Sequence, residues 1–253
     1  MSNDLTTEDF WANYWATLSL PVKVDMGFKN DRVIANEILR VINKSDKTTA
    51  LEIGCAPGKW LSFLATELQC KVTGIEYIPL AASKTIENLE LQNIKNYRVI
   101  TGDFFNHQLN EKFDIVLSLG FIEHFENYES VLKNQMDLVK DDGYLIIGIP
   151  RFVGINFYLQ KIIDQFIENK LIPGHNLKTM QLKNFSKFGK KYNLKIISNK
   201  YIGGFEHGLF PVAEIKNSLV RVIVKIAMRI LKWTFGKINS NFTSSYQIAI
   251  YKK

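Results

Sequence analysis

The feature that most restricts the fold of this sequence is an alternation of short β-branched runs with helical runs over residues 49–150. Such alternation is typical of βαβ units, in which helices connect parallel strands. The sequence predicts strands at 49–53, 71–76, 97–101, 113–119 and 144–150, with helices at 58–68, 80–93 and 129–139. A turn at 141–143 leads into the fifth strand, and Pro150 ends it because proline cannot continue a central ladder.

The alternation loosens after Arg151. The sequence predicts a helix near 155–169, a break at 172–174, a helix near 179–192 and a strand at 194–202. An alternating apolar run at 245–251 predicts the last strand. A long helical insertion is expected between these two strands.

An aromatic helix is predicted in front of the sheet, over residues 7–18. Thr6 or Thr7 is its N-cap, and acidic residues follow in the first turn. Four aromatic residues recur at helical spacing: Phe10, Trp11, Tyr14 and Trp15. Two interpretations stay open and both can hold, a helix laid on the edge of the sheet and a lid over an active site.

The loop LEIGCAPGKW, residues 51–60, suggests a phosphate cradle because Lys59 follows its second glycine. A P-loop needs four residues between its glycines and a hydroxyl after the lysine, whereas this loop has three and then Trp60. A dinucleotide fingerprint counted from Gly54 would put Ala56 and Lys59 at its later glycines. Both phosphate interpretations fail, and Lys59 is expected at the surface of the first helix.

What remains in the loop is the spacing acid-x-Gly-x-small-x-Gly, formed by Glu52, Gly54, Ala56 and Gly58. On this motif the chain resembles the class I S-adenosylmethionine-dependent methyltransferases. The resemblance implies an α/β, Rossmann-like fold, with a seven-stranded mostly parallel sheet, helices on both faces and a helical cap inserted before the last strand. It also implies S-adenosylmethionine as the cofactor, with no metal.

The resemblance further implies one methyltransferase domain over residues 1–253. Its expected parts are an N-terminal helical cap (1–48), a cofactor-binding core (49–150), substrate-side helices with the sixth strand (151–205), an amphipathic basic insertion (206–240) and the last strand (241–253).

Further positions of the resemblance follow the next three strands. Glu76 ends the second strand, where a carboxylate can accept bonds from ribose hydroxyls. In the family an acid after the third strand takes the adenine amino group and the next residue lies near the ring, which are Asp103 and Phe104 here. The backbone at Ser118 and Leu119 would meet the methionine end. Cys55 and Tyr77, beside these positions, complete the expected cofactor-binding set.

Structural roles compete with these assignments. Glu52 can cap or pair with a buried backbone donor, and Asp103 can be a turn former. Asp114, at the start of a strand, is a structural residue more often than a catalytic one. Glu76 is hardest to explain structurally, because a carboxylate at the carboxyl end of an apolar strand lies where ligands bind in parallel sheets.

A hydroxyl acceptor needs a base, and histidine is suited to that task near neutral pH. His124 follows Glu123 directly after the fourth strand, and His175 lies where related enzymes place a histidine near the acceptor. These three are the expected catalytic residues. His207 either lines the pocket or belongs to a loop, and His107 is expected in solvent.

The preferred reaction is O-methylation of a small-molecule, glycan or lipid-linked acceptor. The segment SLGFIEHF also resembles cyclopropane fatty-acid synthases, so lipid C-methylation or cyclopropanation is an alternative. A nucleoside-binding accessory protein without chemistry is an alternative of another class. The fourth strand lacks an Asn-Pro-Pro-Tyr or Asp-Pro-Pro-Tyr motif, which argues against nucleobase and glutamine N-methyltransferases.

The formal net charge of +7 is concentrated in residues 214–237, which hold six basic residues and one acid. Arg221, Lys225, Arg229 and Lys232 form one stripe of a helix whose other positions are apolar. The charges exclude a spanning helix. A packed cap or subunit interface, an interfacial helix on an anionic membrane, and nucleic-acid contact stay open, the last being the least favoured.

Two cysteines without CxxC spacing favour a reducing compartment. The polar, acidic start lacks the order of a signal peptide. We therefore expect a cytoplasmic protein, peripheral at the inner face of the membrane if the interfacial interpretation holds, and a homo-oligomer is compatible with the sequence.

Overall fold

A computed structural model describes residues 5–16, 18–106 and 109–253. Seven strands form one sheet in the order β3-β2-β1-β4-β5-β7-β6. Strand β7 runs antiparallel to both of its neighbours, whereas the other strands are parallel to one another. The strands are β1 (Thr49–Ile53), β2 (Lys71–Glu76), β3 (Tyr97–Thr101), β4 (Phe113–Leu119), β5 (Val139–Pro150), β6 (Lys195–Ile202) and β7 (Tyr246–Lys252). The expected α/β fold is confirmed.

Helices cover both faces of the sheet. They are α1 (Glu8–Ala16), α2 (Lys29–Val41), α3 (Lys59–Glu67), α4 (Pro79–Leu91), α5 (Tyr128–Asp137), α6 (Ile155–Ile163), α7 (Leu182–Lys191) and α8 (Ser218–Phe235). Apolar residues of α2, α3 and α4 share one core with one face of the sheet, and those of α5 and α7 share another with the opposite face. Helices α6 and α8 both contribute buried residues to a third cluster, formed by the chain before the last strand.

Helix α6 is shorter than its sequence pattern predicts, because it ends at Ile163 rather than near 169. The carboxylate of Asp164 accepts hydrogen bonds from the backbone N–H groups of Leu171 and Ile172, at 3.1 and 3.2 Å. These bonds turn the chain back toward the sheet. The sequence pattern does not predict this role, because Asp164 lies within a run that is otherwise typical of an apolar helix face.

The turn expected at 141–143 is a bulge inside β5. Phe113 of β4 pairs with Val139, and Ile115 pairs with Tyr144, so β5 carries extra residues opposite one step of β4. Asp142 has a φ of 63°, and a Cβ on Gly143 would lie 2.9 Å from two backbone oxygens. The residues are turn formers, but the strand resumes its ladder beyond them.

Asp114 lies at the amino end of the sheet, away from the carboxyl ends of the strands. Its carboxylate accepts hydrogen bonds from the Thr49 N–H and hydroxyl, at 2.8 and 2.7 Å, and from Lys140 at 3.0 Å. Burial raises the pKa of Asp114, but these bonds outweigh burial and the pKa falls below its ordinary value. The geometry agrees with a structural role.

Arg151 joins the end of β5 to the segment that precedes β7. Its side chain is fully buried, and its guanidinium donates to backbone carbonyls of Ser240, Ser244, Met180 and Asn241. It also lies 4.0 Å from the ring of Tyr201. Burial lowers the pKa of Arg151 to about 10, so the group stays charged at neutral pH. The guanidinium therefore supplies four backbone carbonyls with the hydrogen-bond donors that water would otherwise provide.

Within the described ranges, every helix falls short of the length and apolarity that crossing a bilayer requires.

Replacing Arg151 by Met should lower the free energy of unfolding by about 3 kcal/mol or more, because several buried carbonyls lose their donor. Chemical denaturation measures the loss. Arg98→Met is the matched control: Arg98 pairs with Glu111 at an exposed site, where a pair contributes less than about 1 kcal/mol. Equal effects of the two substitutions would contradict the role given to Arg151.

Candidate active site

A cavity of about 710 Å³ opens at the carboxyl ends of β1, β2 and β4. Parallel strands present their last residues at one edge, so the polar residues that end them converge there. The aromatic face of α1 covers the cavity through Trp11, Tyr14 and Trp15. Thr7 caps α1 by accepting a hydrogen bond from the Phe10 N–H at 3.2 Å. Helix α1 therefore lies where the lid interpretation placed it.

Most of the expected site residues line this cavity, and three do not. Those that line it are Glu52, Gly54, Ala56, Glu76, Tyr77, Asp103, Phe104, Leu119, Glu123, His124 and His175. Cys55, Gly58 and Ser118 lie behind it. Cys55 is fully buried, and the Ser118 hydroxyl donates to the side-chain Oε1 of buried Gln135 at 3.0 Å.

The loop after β1 is held close to β2. The backbone N–H groups of Gly54 and Cys55 donate to the Ile75 carbonyl, at 3.0 and 3.3 Å. Gly54 has a φ of 68°, and a Cβ there would come 2.7 Å from the ring of Phe121. Gly58 also has a positive φ, of 83°, and begins α3. The glycines of the motif thus allow a tight bend and close packing, of Gly54 against Phe121 and of Gly58 against Thr85.

Glu76 is anchored by the same loop. One carboxylate oxygen accepts a hydrogen bond from the Ala56 N–H at 3.3 Å, and the other accepts one from the Ile78 N–H at 3.1 Å. Burial raises the pKa of Glu76, and these backbone bonds oppose the rise. Tyr77 lies beside it, half exposed, and its hydroxyl donates to Glu8 of α1 at 3.4 Å. Glu76, the last residue of β2, and Tyr77, which follows it, therefore both line the cavity.

Glu52 is a buried carboxyl whose Oε2 has no hydrogen-bond partner among the described residues. Burial raises its pKa well above the ordinary value, and Lys59 opposes that rise. Lys59 itself is partly buried, with 25% of its side chain exposed, and is not the freely exposed surface residue that was expected. Its ammonium forms an ion pair with Asp31 of α2 at 2.8 Å and lines the cavity. The pair draws Lys59 inward because Asp31 is almost fully buried.

Asp103 lines the cavity and also forms its own turn. Its carboxylate accepts hydrogen bonds from the Phe105 N–H at 2.9 Å and from the Asn106 side chain at 2.6 Å. Phe104 presents its ring to the cavity and meets Phe121 edge to face, with 6.2 Å between the ring centroids. The turn-forming role and the position at the cavity therefore coexist.

Glu123, His124 and His175 meet at the other end of the cavity. Asn176 N–H donates to the Glu123 carbonyl at 2.6 Å, so the segment that carries His175 is tied to the 3-10 turn Ile122–His124. His124 Nδ1 lies 2.8 Å from the Gly174 carbonyl, and His175 Nδ1 lies 2.6 Å from the Leu171 carbonyl. A carbonyl can only accept, so both rings carry their proton on Nδ1 and leave the Nε2 lone pair free.

Burial sets the charge of this trio. Both Glu123 oxygens lack a hydrogen-bond partner, and burial raises the pKa of Glu123 to about 8. Burial lowers the pKa of His124 to about 3, with a further contribution from His175. Burial lowers the pKa of His175 as well. The two imidazoles are therefore neutral at physiological pH, and the Glu123 carboxyl is mostly protonated until pH 8.

The trio could also hold a divalent cation. One ligand atom from each of the three residues lies within 4.8 Å of the others, and His124 Nε2 is 3.8 Å from Glu123 Oε1. Direct ligation at about 2.0–2.2 Å needs closer spacing, so the side chains would have to draw together. The expectation that the protein uses no metal stays a prediction.

Some cavity residues escaped the sequence analysis. Asp31 and Asn30 begin α2, and Tyr246 begins β7. The only sequence signal for Asp31 was its position as an acid in the first turn of an amphipathic helix. Its favourable interaction with the helix dipole explains such an acid equally well. His207 lies at a second, smaller cavity, bonded to Glu206 at 2.6 Å, while its neighbour Gly208 lines the main one. His107 lies outside the described residues.

One end of the cavity, here called its first end, is lined by Glu52, Gly54, Glu76 and Phe104. These residues fit S-adenosylmethionine. The unpartnered Glu52 oxygen suits a cationic amino group, and Gly54 lines the same cavity. Glu76 is a carboxylate suited to vicinal hydroxyls, and Phe104 offers an apolar ring face. The fit concerns chemistry and placement, since each of these groups lines the same cavity.

The chain was compared with known proteins. A family model described as a methyltransferase domain matches residues 44–199, more than half of the chain. The ubiquinone biosynthesis O-methyltransferase of Glaesserella parasuis is 30% identical over 168 residues, which cover 62% of this chain and 67% of that protein. The (S)-coclaurine N-methyltransferase of Papaver somniferum is 30% identical over 110 residues, covering 40% of this chain but only 29% of that protein.

The fold has solved counterparts. A crystal structure of coclaurine N-methyltransferase bound to N-methylheliamine and S-adenosylhomocysteine superposes with a TM-score of 0.67 and 14% sequence identity. The superposition covers 100% of this chain and 84% of that one. At this identity the likeness concerns the fold alone.

Replacing Glu123 by Gln should make stability less dependent on pH. Folding raises the Glu123 pKa to about 8, so the folded state keeps a proton that the unfolded state releases near pH 4.5. The proton on Glu123 therefore stabilises the folded state at pH 4.5, and this contribution is lost as the pH rises through about 8. We expect the variant to unfold at a temperature similar to wild type at pH 4.5 and several degrees higher at pH 8.5.

Calorimetric melting of both proteins across this pH range measures the difference. Glu67→Gln removes an exposed carboxylate on α3 and serves as the control. A wild-type melting temperature that changes with pH in parallel with the Glu123→Gln variant would contradict the raised pKa.

Proposed function

The chain belongs to the family of class I S-adenosylmethionine-dependent methyltransferases, and from this premise we propose that it methylates an oxygen atom of a small-molecule, glycan or lipid-linked acceptor. The observation that carries the proposal is the pair of neutral imidazoles, His124 and His175, with free Nε2 lone pairs in the cavity of the cofactor residues. The similarity to an O-methyltransferase of ubiquinone biosynthesis supports an oxygen acceptor. A nitrogen acceptor, as in the coclaurine enzymes, is the competing outcome.

S-adenosylmethionine supplies a methyl group that its sulfonium already activates. The chain then has to align the acceptor with that methyl group, which contributes roughly 7–11 kcal/mol in favourable cases. Glu52 and Glu76 would hold the amino and ribose groups of the cofactor, since both carboxyl groups line the first end of the cavity. The acceptor would enter at the other end, below the aromatic face of α1, where Trp11 packs edge-on against His124 at 5.0 Å.

The acceptor hydroxyl loses its proton to a nitrogen of this chain in the proposed reaction. The Nε2 atoms of His124 and His175 are available because their Nδ1 protons are engaged by Gly174 and Leu171. His175 is the stronger candidate, since burial moves the pKa of His124 as far down as about 3 and leaves it a weak base. A general base of this kind contributes typically about 10²–10⁴-fold in rate.

We expect Glu76→Gln to weaken binding of S-adenosylhomocysteine about 10-fold or more, because charge-assisted hydrogen bonds to ribose are roughly twice as strong as neutral ones. Isothermal titration calorimetry measures the change. Glu67→Gln is again the control, and the melting temperature of each variant reports folding. Unchanged affinity in a folded Glu76→Gln protein would refute the ribose assignment.

His175→Asn should reduce methyl transfer by about 100-fold or more while S-adenosylhomocysteine affinity stays within about twofold, because the base acts on the acceptor and not on the cofactor. Transfer from radiolabelled S-adenosylmethionine to phenolic, glycan and lipid extracts provides the assay. Glu67→Gln, at an exposed position on α3, is the control. Equal loss in both variants would contradict the role of His175.

Lipid C-methylation or cyclopropanation is the second candidate. Two unpartnered Glu123 oxygens between two imidazoles offer a polar pocket in which a bicarbonate base could lie. Bicarbonate dependence together with loss of activity in Glu123→Gln would favour this chemistry over O-methylation. Persistence of activity after treatment with a chelator would argue against a required metal in either case.

The proposal includes a location, peripheral to an anionic membrane at its inner face. It is supported by the basic stripe on α8, whose members Lys225, Arg229 and Lys232 are exposed. A Lys or Arg near such a surface adds about 1 kcal/mol of attraction. A membrane location would bring a lipid-linked acceptor to the cavity.

A further inference from the structure

Helix α8 has three sectors rather than the two of an ordinary surface helix. At 3.6 residues per turn, each sector spans roughly 80–100° of the helix circumference. The first sector faces the protein, where Val224 and Met228 are buried in an apolar cluster that includes residues of α6. The second is the basic stripe. The third is apolar and exposed, so packing of the helix on the fold does not account for it.

The exposed apolar sector is large and continuous along the helix. Its members are Leu219, Val222, Ile223, Ile226, Ile230 and Trp233, each more than half exposed. Trp233, at 89% exposure, is the most open large apolar side chain of the described residues. Helix α6, which shares a buried cluster with α8, exposes Tyr158 and Ile162 as well. Apolar surface of this extent marks an interaction site.

A cationic cavity lies on the other side of the basic stripe. Lys225, Arg229 and Lys232 line it together with His207 and the apolar side chain of Met228. Buried Glu206 pairs with Lys232 at 2.9 Å and with His207 at 2.6 Å. Neither Lys225 nor Arg229 has a carboxylate partner in the part of the chain that the structure describes. The cavity therefore carries more positive charge than its own carboxylate neutralises.

The cationic cavity adjoins the candidate active site. Gly208 lines both cavities, and Leu209, the next residue, lines the active-site cavity. The 3-10 turn His207–Leu209 is thus the wall between them. An amphiphilic molecule whose charged group lay in the cationic cavity would have its remaining part near the active-site cavity.

We propose that α8 docks on a membrane through its exposed apolar sector, and that the cavity of Lys225, Arg229 and Lys232 binds the phosphate group of an anionic lipid. The inference deepens the proposed function, on which it rests, because it names a phosphate-bearing lipid as the chemical class of molecule presented beside the active site. Phosphate pairs with Lys and Arg in charge-assisted hydrogen bonds.

Charge and shape favour a lipid over other anions. An interfacial helix combines a broad apolar face with a row of cations beside it, and a tryptophan at its margin suits the boundary between acyl chains and headgroups. A nucleic-acid groove would accept the cations but would leave the six apolar side chains in water. A free phosphate would bind in the cavity but would give the apolar sector no partner.

Vesicle co-sedimentation of the full chain at low salt tests the inference. Vesicles of phosphatidylcholine with phosphatidylglycerol should retain the protein, and vesicles of phosphatidylcholine alone should retain much less. Lys225→Gln/Arg229→Gln should lower the partition coefficient by about fivefold for each cation removed. Lys187→Gln/Lys190→Gln, which removes two exposed cations from α7, is the matched control and should retain wild-type partitioning.

The apolar sector has its own reporter. Trp233 fluorescence should shift to the blue on vesicle binding and should be quenched by brominated acyl chains, and Trp233→Ser should lower partitioning by fivefold or more. Melting temperatures confirm that each variant is folded.

Three outcomes would overturn the inference: no retention on anionic vesicles, equal loss in the α7 control, or binding of glycerol 3-phosphate or RNA without vesicle retention. The assay contains no cofactor, so its failure leaves the proposed methyl transfer untouched. Conversely, failure of the chain to bind S-adenosylhomocysteine would refute the methyltransferase proposal while leaving vesicle retention as measured.

Discussion

The site depends on two carboxyl groups, Glu52 and Glu123, that the fold buries without supplying hydrogen-bond partners for all of their oxygens. Burying a carboxyl in this way is unfavourable, and the raised pKa values of both groups express the cost. The sheet holds them in place because Glu52 is the penultimate residue of β1 and Glu123 lies in the 3-10 turn that follows β4. A ligand that brings positive charge or hydrogen-bond donors between them would remove that cost, and this makes the cavity receptive to a sulfonium amino acid at one end and a polar acceptor at the other.

Contacts around the cavity fix the positions of its two ends relative to each other. The loop after β1 is tied to β2 through Ile75 and Glu76, which fixes the end nearer the cofactor residues. The turn that carries Glu123 is tied to the segment of His175 through Asn176, and the imidazoles are each fixed by one carbonyl. Helix α1 closes the space above them with aromatic rings. Most of these contacts join residues at least 20 positions apart in sequence, whereas His175 and Leu171 are only four apart. The acceptor end therefore depends on tertiary packing.

The sequence pattern predicted those features that depend on neighbouring residues in the chain, such as the bounds of the strands. The bounds of β1 to β4 agree with the sequence because β-branched runs between helices leave few alternatives. The polar residues that end those strands were found because parallel strands share an edge. The ion pair of Lys59 with Asp31, the capping of the α6 end by Asp164, and the side chain of Ser118 directed at Gln135 were missed. Each depends on a partner that only tertiary packing brings near. The basic stripe of α8 was recognised, but the division of its apolar residues between core and solvent requires the packing of α6.

Helix α1, the segment around His175 and the turn before α8 all contribute residues to the cavity wall, and no regular sequence pattern specifies the acceptor there. The account nevertheless rests on one claim that can be measured without knowing the acceptor, that the carboxyl edge of the sheet binds S-adenosylmethionine. Isothermal titration of the wild-type chain with S-adenosylmethionine and with S-adenosylhomocysteine tests it most directly. The account predicts saturable binding of both at one site per chain. Absence of binding heat for both ligands, with a folded protein in the cell, would contradict it.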